Sequence, residues 1–236
     1  MANYSLEISS AVSTGWEYAK KYGLLIAVIY LVVGIITSGL QSLTGGGMSP
    51  SDSQAIGEAI GRGDWESVGA LAQSYNNGIG AHFGTGISCI ISFIVSIGLY
   101  NLALGLMSGR FTEVTFDAFK LPLSVYAKAF VVSFIVGIIC FVATLCCIIP
   151  GLFVAPRLVL APVYQVENPE AGIIESISAS WKMTSGNTFS MLCLGIIRVG
   201  VCILGFMCCC IGIYFAEVIQ LFALIAAYYQ MKGNLQ

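Results

Sequence analysis

Three ionisable side chains lie inside long apolar runs of this chain: Arg157, Arg198 and Glu217. A charged group is costly in hydrocarbon and normally faces a partner or a wet cavity. We expect Glu217 to pair with Arg157, with Arg198 as the second choice. Two interpretations stay open: a buried ion pair that sets the register of the helices, and a polar cavity for an anionic headgroup or solute.

Two prolines flank the first arginine. Pro156 and Pro162 each remove a backbone hydrogen bond, which frees the carbonyls of Leu152 and Leu158. A short, kinked span with free acceptors beside an arginine is typical of transporter binding sites. Prolines are also ordinary in membrane helices where neighbouring groups satisfy the backbone.

The remaining reactive residues predict neither catalysis nor a cofactor. The nine cysteines lie in or beside apolar runs without a nearby histidine, so we expect packing residues rather than metal ligands. A disulfide between Cys146-Cys147 and Cys208-Cys209-Cys210 stays open. His82 has no visible nucleophile or metal partner, and the glycines around it lack the Lys-Ser/Thr ending of a phosphate loop.

Composition places these residues in a membrane. The chain has 236 residues, of which 57% are hydrophobic and 9% charged, and its mean hydropathy is +0.88. Soluble domains carry about 25% charged residues. The apolar runs are long and lack alternation, so the sequence predicts an all-α membrane protein. The net charge of -2, without a basic block, excludes a nucleic-acid partner.

The apolar runs predict six spans in a single transmembrane domain over residues 1–236, at 23–40, 85–107, 129–149, 152–166, 189–209 and 212–231. Pro150-Gly151 predicts a tight turn between the third and fourth spans. The polar segment 41–78 predicts an extracytoplasmic loop with two short helices, one starting at a Ser51–Gln54 capping box and one capped by Asp64.

Basic residues indicate the orientation. With six spans, one side of the membrane carries every lysine and arginine of the short loops: Lys20, Lys21, Arg110, Lys120, Lys128, Lys182 and Lys232. The positive-inside rule therefore predicts that both termini are cytoplasmic. If the proline-containing fourth span is re-entrant, the later spans invert.

An aromatic residue precedes each outward span: Trp16, Phe119 and Trp181. We interpret these residues as anchors on amphipathic helices at the cytoplasmic interface, with Lys182 near lipid phosphate and Gly186-Asn187 ending the third helix. The pattern predicts a threefold repeat of interfacial helix plus helical hairpin. The alternative is that any amphipathic approach to a membrane carries an aromatic anchor.

Residues 98–232 resemble a known family. The segments GLYNLALGLMSGRFTEVTFDAFK and IIPGLFVAPRLVLAPVYQVENPEAGIIESISASWKMTSGN are similar to the membrane domain of some bacterial glycerophosphodiester phosphodiesterases and to related stand-alone membrane proteins. The resemblance is most specific at Pro150-Gly151, Pro162, Glu175, Ser180-Trp181, Thr184 and Gly186-Asn187. It implies a bacterial cytoplasmic membrane. The phosphodiesterase activity is not implied, because the chain has no room for its catalytic barrel.

The expected function is that of a non-catalytic accessory or scaffold protein. Its expected partners are membrane lipids, a second copy of the chain or another membrane protein. The alternative is a small transporter or channel for a lipid or anionic solute, with Arg157, Arg198 and Glu217 along the path. An intramembrane enzyme ranks third, because it needs a nucleophile and a base that the sequence does not pair.

Overall fold

A computed structural model describes residues 5–44, 50–76, 79–146, 148–207 and 210–235. All regular structure in these residues is helical. The α-helices are α1 (Ile8–Leu43), α2 (Pro50–Gly61), α3 (Trp65–Asn76), α4 (Ile79–Met107), α5 (Leu123–Cys146), α6 (Ile148–Leu158), α7 (Ala161–Glu167), α8 (Ile173–Met183), α9 (Thr188–Met207) and α10 (Cys210–Met231). Short 3-10 turns cover Phe116–Phe119 and Lys232–Leu235.

Five helical stretches in the described part of the chain are long and apolar enough to cross a membrane. They are Ile8–Leu43, His82–Met107, Leu123–Cys146, Thr188–Met207 and Gly212–Leu235. Many of their large apolar side chains are exposed, including Leu25, Phe134 and Phe206. An apolar exterior of this extent fits a lipid solvent, so the predicted all-α membrane class is confirmed.

The predicted fourth span is not one helix. Residues 152–166 form most of α6 and α7, with a break at Val159 and Leu160. Pro162 lies in the first turn of α7. Its ring and missing N–H group prevent the helix of α6 from continuing through this point.

The two short helices together run back along α5. Near one end of α5, an added Cβ at Gly151 would lie 2.9 Å from Thr144 Cα. Near the other end, Lys128 Nζ donates to the carbonyl of Pro169 at 2.8 Å. The pair α6–α7 therefore extends from one end of α5 to the other. It does not form a re-entrant segment that returns to the end where it began.

The predicted turn at Pro150-Gly151 is wrong. Both residues belong to the first turn of α6, which begins at Ile148. A proline is tolerated there because N–H groups of the first turn have no partner within the helix. The absent side chain of Gly151 instead permits the close approach of α6 to α5.

The three predicted interfacial helices take different forms. The first is continuous with the first span, because no proline interrupts the 36 residues of α1. The second is reduced to the 3-10 turn Phe116–Phe119, whose Thr115 hydroxyl accepts from the Asp117 amide. The third is a separate helix, α8. The threefold repeat stays a prediction.

The chain divides into two compact units, where the sequence predicts one domain with a loop over 41–78. One unit comprises Met1–Ile29 with Val95–Gln236, and the other comprises Tyr30–Ile94. The predicted loop belongs to the second unit. Its helices α2 and α3 contact each other.

In this second unit, Asp64 caps α3 as predicted. Its carboxylate accepts from the Ser67 amide at 3.1 Å and from the Ser67 hydroxyl at 2.6 Å. These bonds favour the ionised carboxylate and lower the pKa of Asp64. Helix α2 begins at Pro50, so Ser51 lies inside the helix and not at its cap. The glycines at 45–47 lie outside the described residues.

Helix α10 is the core of the first unit, where its residues Leu221–Tyr228 are all buried. The buried face of α1 carries small residues at every fourth position, namely Ala11, Gly15, Ala19 and Gly23. Gly15 and Gly23 contact α10 directly. An added Cβ at Gly15 would lie 2.9 Å from two α10 backbone atoms, the nitrogen of Ala223 and the oxygen of Ile219. Close backbone approach at small residues is a standard way for membrane helices to associate.

The two termini of the described chain meet at one end of this unit. The Leu6 amide donates to the Asn187 side chain at 3.0 Å, and the Glu7 amide donates to the Gln230 side chain at 2.9 Å. Asn234 donates to the carbonyl of Met183 at 3.0 Å.

We expect Gly15→Ala to lower the stability of the protein in detergent. Its methyl group would meet the backbone of α10, and overpacking of this kind costs about 1–3 kcal/mol. Gly39→Ala, in the same helix, is the matched control, because an added Cβ there has open space. Thermal unfolding of both variants checks this, and equal melting temperatures would contradict the close packing of α1 on α10.

Candidate functional site

The break between α6 and α7 is closed by side chains of α8. The Arg157 carbonyl lies in the last turn of α6, where the normal intrahelical donors are missing. The Ser180 hydroxyl donates to this carbonyl at 2.6 Å and the Thr184 hydroxyl at 3.3 Å. Both hydroxyl residues are fully buried. They satisfy a part-buried backbone acceptor that would otherwise lack a hydrogen-bond donor.

The side chain of Arg157 points to the same place. Its Nε donates to the Thr188 hydroxyl at 2.8 Å, and its guanidinium lies 4.5 Å from the centre of the Trp181 ring. We call Arg157, Ser180, Trp181, Thr184 and Thr188 the junction cluster. The junction cluster connects the end of α6 to the residues where α8 ends and α9 begins.

The expected pairing of Arg157 with Glu217 does not occur among the described residues. Arg157 lies beside Thr188, the first residue of α9. Gly205, near the other end of α9, packs on Gly212 and Ala216 of α10, next to Glu217. At about 1.5 Å per residue, Gly205 is roughly 25 Å along α9 from Thr188. The sequence predicted Arg157 near the start of a continuous span, but α6 runs from Ile148 to Leu158, so Arg157 lies at its far end.

Arg198 lies near the middle of α9, roughly 15 Å along the helix from Thr188. It lines two adjoining cavities. One, of about 300 Å³, lies among α6, α9 and Leu224 of α10 and is otherwise apolar. The other, of about 400 Å³, lies between α9 and α10 and includes Gln220. We call the two cavities together the α9 groove.

Two donors at this groove lack a partner. Within the described part of the chain, neither Arg198 Nε nor Gln220 Nε2 has a hydrogen-bond acceptor, although both atoms are buried. Gln220 is only 8% exposed. The sequence analysis missed Gln220. Its signal was a glutamine three positions after Glu217 in an apolar helix, a spacing that puts both residues on one face.

Glu217 and Arg198 share a neighbour on α4. Tyr100, which is half-buried, lies within electrostatic range of both side chains. The ion pairs of the described residues are Lys120–Asp117 and Lys232–Glu167, so Glu217 does not form a direct ion pair with Arg198 either. The three side chains from α4, α9 and α10 form a dispersed polar strip.

The predicted anchors have different surroundings. Trp16 is 46% exposed and meets Phe215 edge-on, with ring centres 6.3 Å apart. Lys182 is exposed on α8. Phe119 instead packs directly over Gly98 of α4, because that glycine leaves room for its ring. The headgroup anchor at Phe119 stays a prediction.

Gly186 and Asn187 lie between α8 and α9. Gly186 has φ +83°, a conformation that favours glycine, and it follows the last residue of α8 by three positions. The Asn187 carbonyl accepts from the Met191 amide, which starts α9. Its side chain holds Leu6. Gly186 and Asn187 therefore end α8, begin α9 and hold the N-terminal segment. The sequence predicted only the first of these three roles, the end of α8.

A second buried network, between α7 and α8, also escaped the sequence analysis. Ser176 donates to the Gln165 side chain at 2.9 Å, and Gln165 donates to the carbonyl of Ala171 at 3.2 Å. Both polar side chains are fully buried. At the end of α7, Glu167 accepts hydrogen bonds from Lys232, at 2.7 Å, and from Tyr228. These contacts hold the broken span against its neighbours.

The cysteines described are free thiols: Cys89, Cys140, Cys146, Cys193 and Cys202. The disulfide left open by the sequence lies between residues 146–147 and 208–210. Residues 147 and 208–209 and the side chain of residue 210 lie outside the described part of the chain, and Cys146 is a free thiol. No group of three or more His, Cys, Asp or Glu side chains in the described ranges is arranged to hold a metal ion.

No protein-family model, curated protein or solved structure matches this chain. The resemblance to the membrane domain of glycerophosphodiester phosphodiesterases therefore stays a prediction. Several of its motif residues now have a structural explanation. Glu175 accepts from the Gly172 amide at 3.1 Å and so caps α8, while Ser180 and Thr184 close the helix break.

A double-mutant cycle tests the placement of Arg157. We expect Arg157→Leu and Trp181→Leu to be coupled by about 0.5–1 kcal/mol, because each removes the same stacking contact. Arg157→Leu and Glu217→Leu should be additive within about 0.5 kcal/mol, because the two residues are far apart. Chemical unfolding in detergent measures both cycles. A strong coupling of Arg157 to Glu217 with none to Trp181 would restore the ion pair.

Proposed function

We propose that this chain is a non-catalytic, multi-pass protein of the bacterial cytoplasmic membrane, with both termini in the cytoplasm. It acts as an accessory or scaffold that holds a lipid or a partner membrane protein. The observation that carries the proposal is the α9 groove, where apolar walls meet two buried donors without partners.

The form of the groove supports an amphiphilic ligand. Residues of α6 and α9 supply walls that suit hydrocarbon, among them Leu152, Val159 and Leu194. Arg198 and Gln220 supply N–H groups that suit a polar end. Ligand sites commonly combine a mainly apolar lining with a few placed polar groups.

The orientation rests on the basic residues and on the family resemblance. The contact of Leu6 with Asn187 and of Glu7 with Gln230 supports termini on a common side. The excess of lysine and arginine in the short loops supports the cytoplasm as that side. The resemblance supports a bacterial membrane.

Native mass spectrometry after gentle extraction tests the function. We expect the protein to retain a bound lipid, a second copy or a second protein. Gly195→Leu should reduce lipid retention, because Gly195 lines both cavities and an added side chain there meets open space. Gly137→Leu on α5 is the matched control, since that position also has open space and lies outside the groove. A bare monomer in all three proteins would refute the proposal.

A transporter or channel is the second candidate, and the polar strip of Tyr100, Arg198 and Glu217 favours it. Arg198 and Glu217, on different helices, both lie within electrostatic range of Tyr100 of a third. Charged residues inside a bundle often line a path for ions or solutes.

We expect Glu217→Gln to abolish flux if this second function holds, because the change removes the charge and keeps the shape. Proteoliposomes that contain a trapped dye quenched by iodide measure the movement of an anion. Proteoliposomes that contain a fluorescent phospholipid measure the movement of a lipid. Size-exclusion chromatography and helical content check folding. Equal flux in wild type, Glu217→Gln and empty liposomes would eliminate this candidate.

A further inference from the structure

The polar end of the α9 groove holds two donors without a hydrogen-bond partner among the described residues. Arg198 and Gln220 come from α9 and α10 and line the same cavity. Their Nε and Nε2 atoms are buried and lack acceptors among the described residues. A buried donor without an acceptor is costly, and the cost is recovered when a ligand supplies the acceptor.

The ligand group must therefore accept hydrogen bonds. A carboxylate fits best, because its two oxygens accept from an arginine and a neighbouring amide at once. Glu217 lies three residues before Gln220 on the same face of α10. Its negative charge disfavours a doubly charged phosphate more than a singly charged carboxylate.

The rest of the groove is apolar. From Arg198 it continues between α6 and α9, past Ala155, Pro156 and Met191. Among the described residues, no other charged side chain lines that part of it. A ligand whose carboxylate meets Arg198 would place its remaining atoms against hydrocarbon side chains, so those atoms must themselves be apolar.

We infer that the α9 groove binds a long-chain fatty acid, with the carboxylate on Arg198 and Gln220 and the hydrocarbon chain between α6 and α9. The inference rests on the proposed lipid-holding function and identifies its ligand class. A phospholipid headgroup would have to leave the interface for a point roughly 15 Å along α9.

Cys202 provides a native reporter of the site. It is a free thiol that lines the groove beside Arg198 and Gln220. Cys193 is a free, half-buried thiol on the same helix and does not line the groove. Both thiols are alkylated with N-ethylmaleimide in the purified full-length protein, and peptide mass spectrometry measures the rate of each reaction. The alkylation rate of Cys202 reports on the groove, and that of Cys193 is the internal control.

We expect palmitate to slow alkylation of Cys202 and to leave Cys193 unchanged. Hexadecanol and methyl palmitate have the same chain length without a carboxylate, and both should protect weakly. Gln220→Leu should raise the palmitate concentration for half protection by about tenfold, the loss expected for one hydrogen bond to a charged group. Arg198→Lys, which keeps the charge and removes the Nε–H donor, should weaken protection in the same direction.

The stability of Gln220→Leu separates a ligand role from a structural role. The substitution removes a donor that has no partner in the described chain, so the ligand-free variant should melt at the same or a higher temperature than wild type. A lower melting temperature with unchanged protection by palmitate would overturn the inference. Equal protection by palmitate, methyl palmitate and hexadecanol would overturn it too, because the groove would then select only for hydrocarbon.

The outcomes also separate this inference from the proposed function. If native mass spectrometry finds a retained lipid or protein and palmitate fails to protect Cys202, the ligand assignment is wrong and the holding function stands. If nothing is retained and palmitate still fails, both are refuted.

Discussion

The part-buried carbonyl of Arg157, at the break between α6 and α7, is the constraint on which the neighbouring helices depend. Pro162 ends the run of helix that began at Ile148, and the last carbonyls of α6 lose their usual donors. A buried acceptor cannot stay unpaired without a large cost. The hydroxyls of Ser180 and Thr184 supply the bonds, and α8 must therefore lie against the break. Its position in turn sets the start of α9, beside the Arg157 side chain.

The second organising feature is the surface of α10. Lipid offers no hydrophobic drive for two apolar helices to associate, so close packing has to hold them together. The small residues of α1 allow its backbone to contact α10 at Gly15, and the side chain of Phe215 packs over Gly23. Polar contacts at the end of the unit, from Leu6 to Asn187 and from Lys232 to Glu167, complete the attachment. Packing and capping together replace the ion pair that the sequence suggested.

The candidate site shows how far residue type alone can guide a search. Arg198 and Glu217 were predicted from their charge in apolar surroundings. Arg198 lines the α9 groove, and both residues belong to the polar strip with Tyr100. Arg157 was found by the same rule, yet it belongs to the junction cluster and stabilises the fold through Trp181 and Thr188. Gln220 has no charge and was not predicted as a site residue. Its buried amide nitrogen without a hydrogen-bond partner among the described residues is nevertheless the stronger evidence for a ligand site. Burial and missing partners are properties of packing, so no pattern along the chain reveals them directly.

The sequence by itself determined the helical membrane class, the approximate bounds of five spans and the cap of α3. These features depend on local composition, on the length of apolar runs and on side chains that bond to their own backbone. Only the tertiary structure decided that α1 is one continuous helix, that the fourth span is two helices, and that Arg157 and Glu217 lie far apart. The physical reason is that each of these outcomes depends on a partner distant in sequence: α8 for the break, α10 for α1, and Thr188 for Arg157.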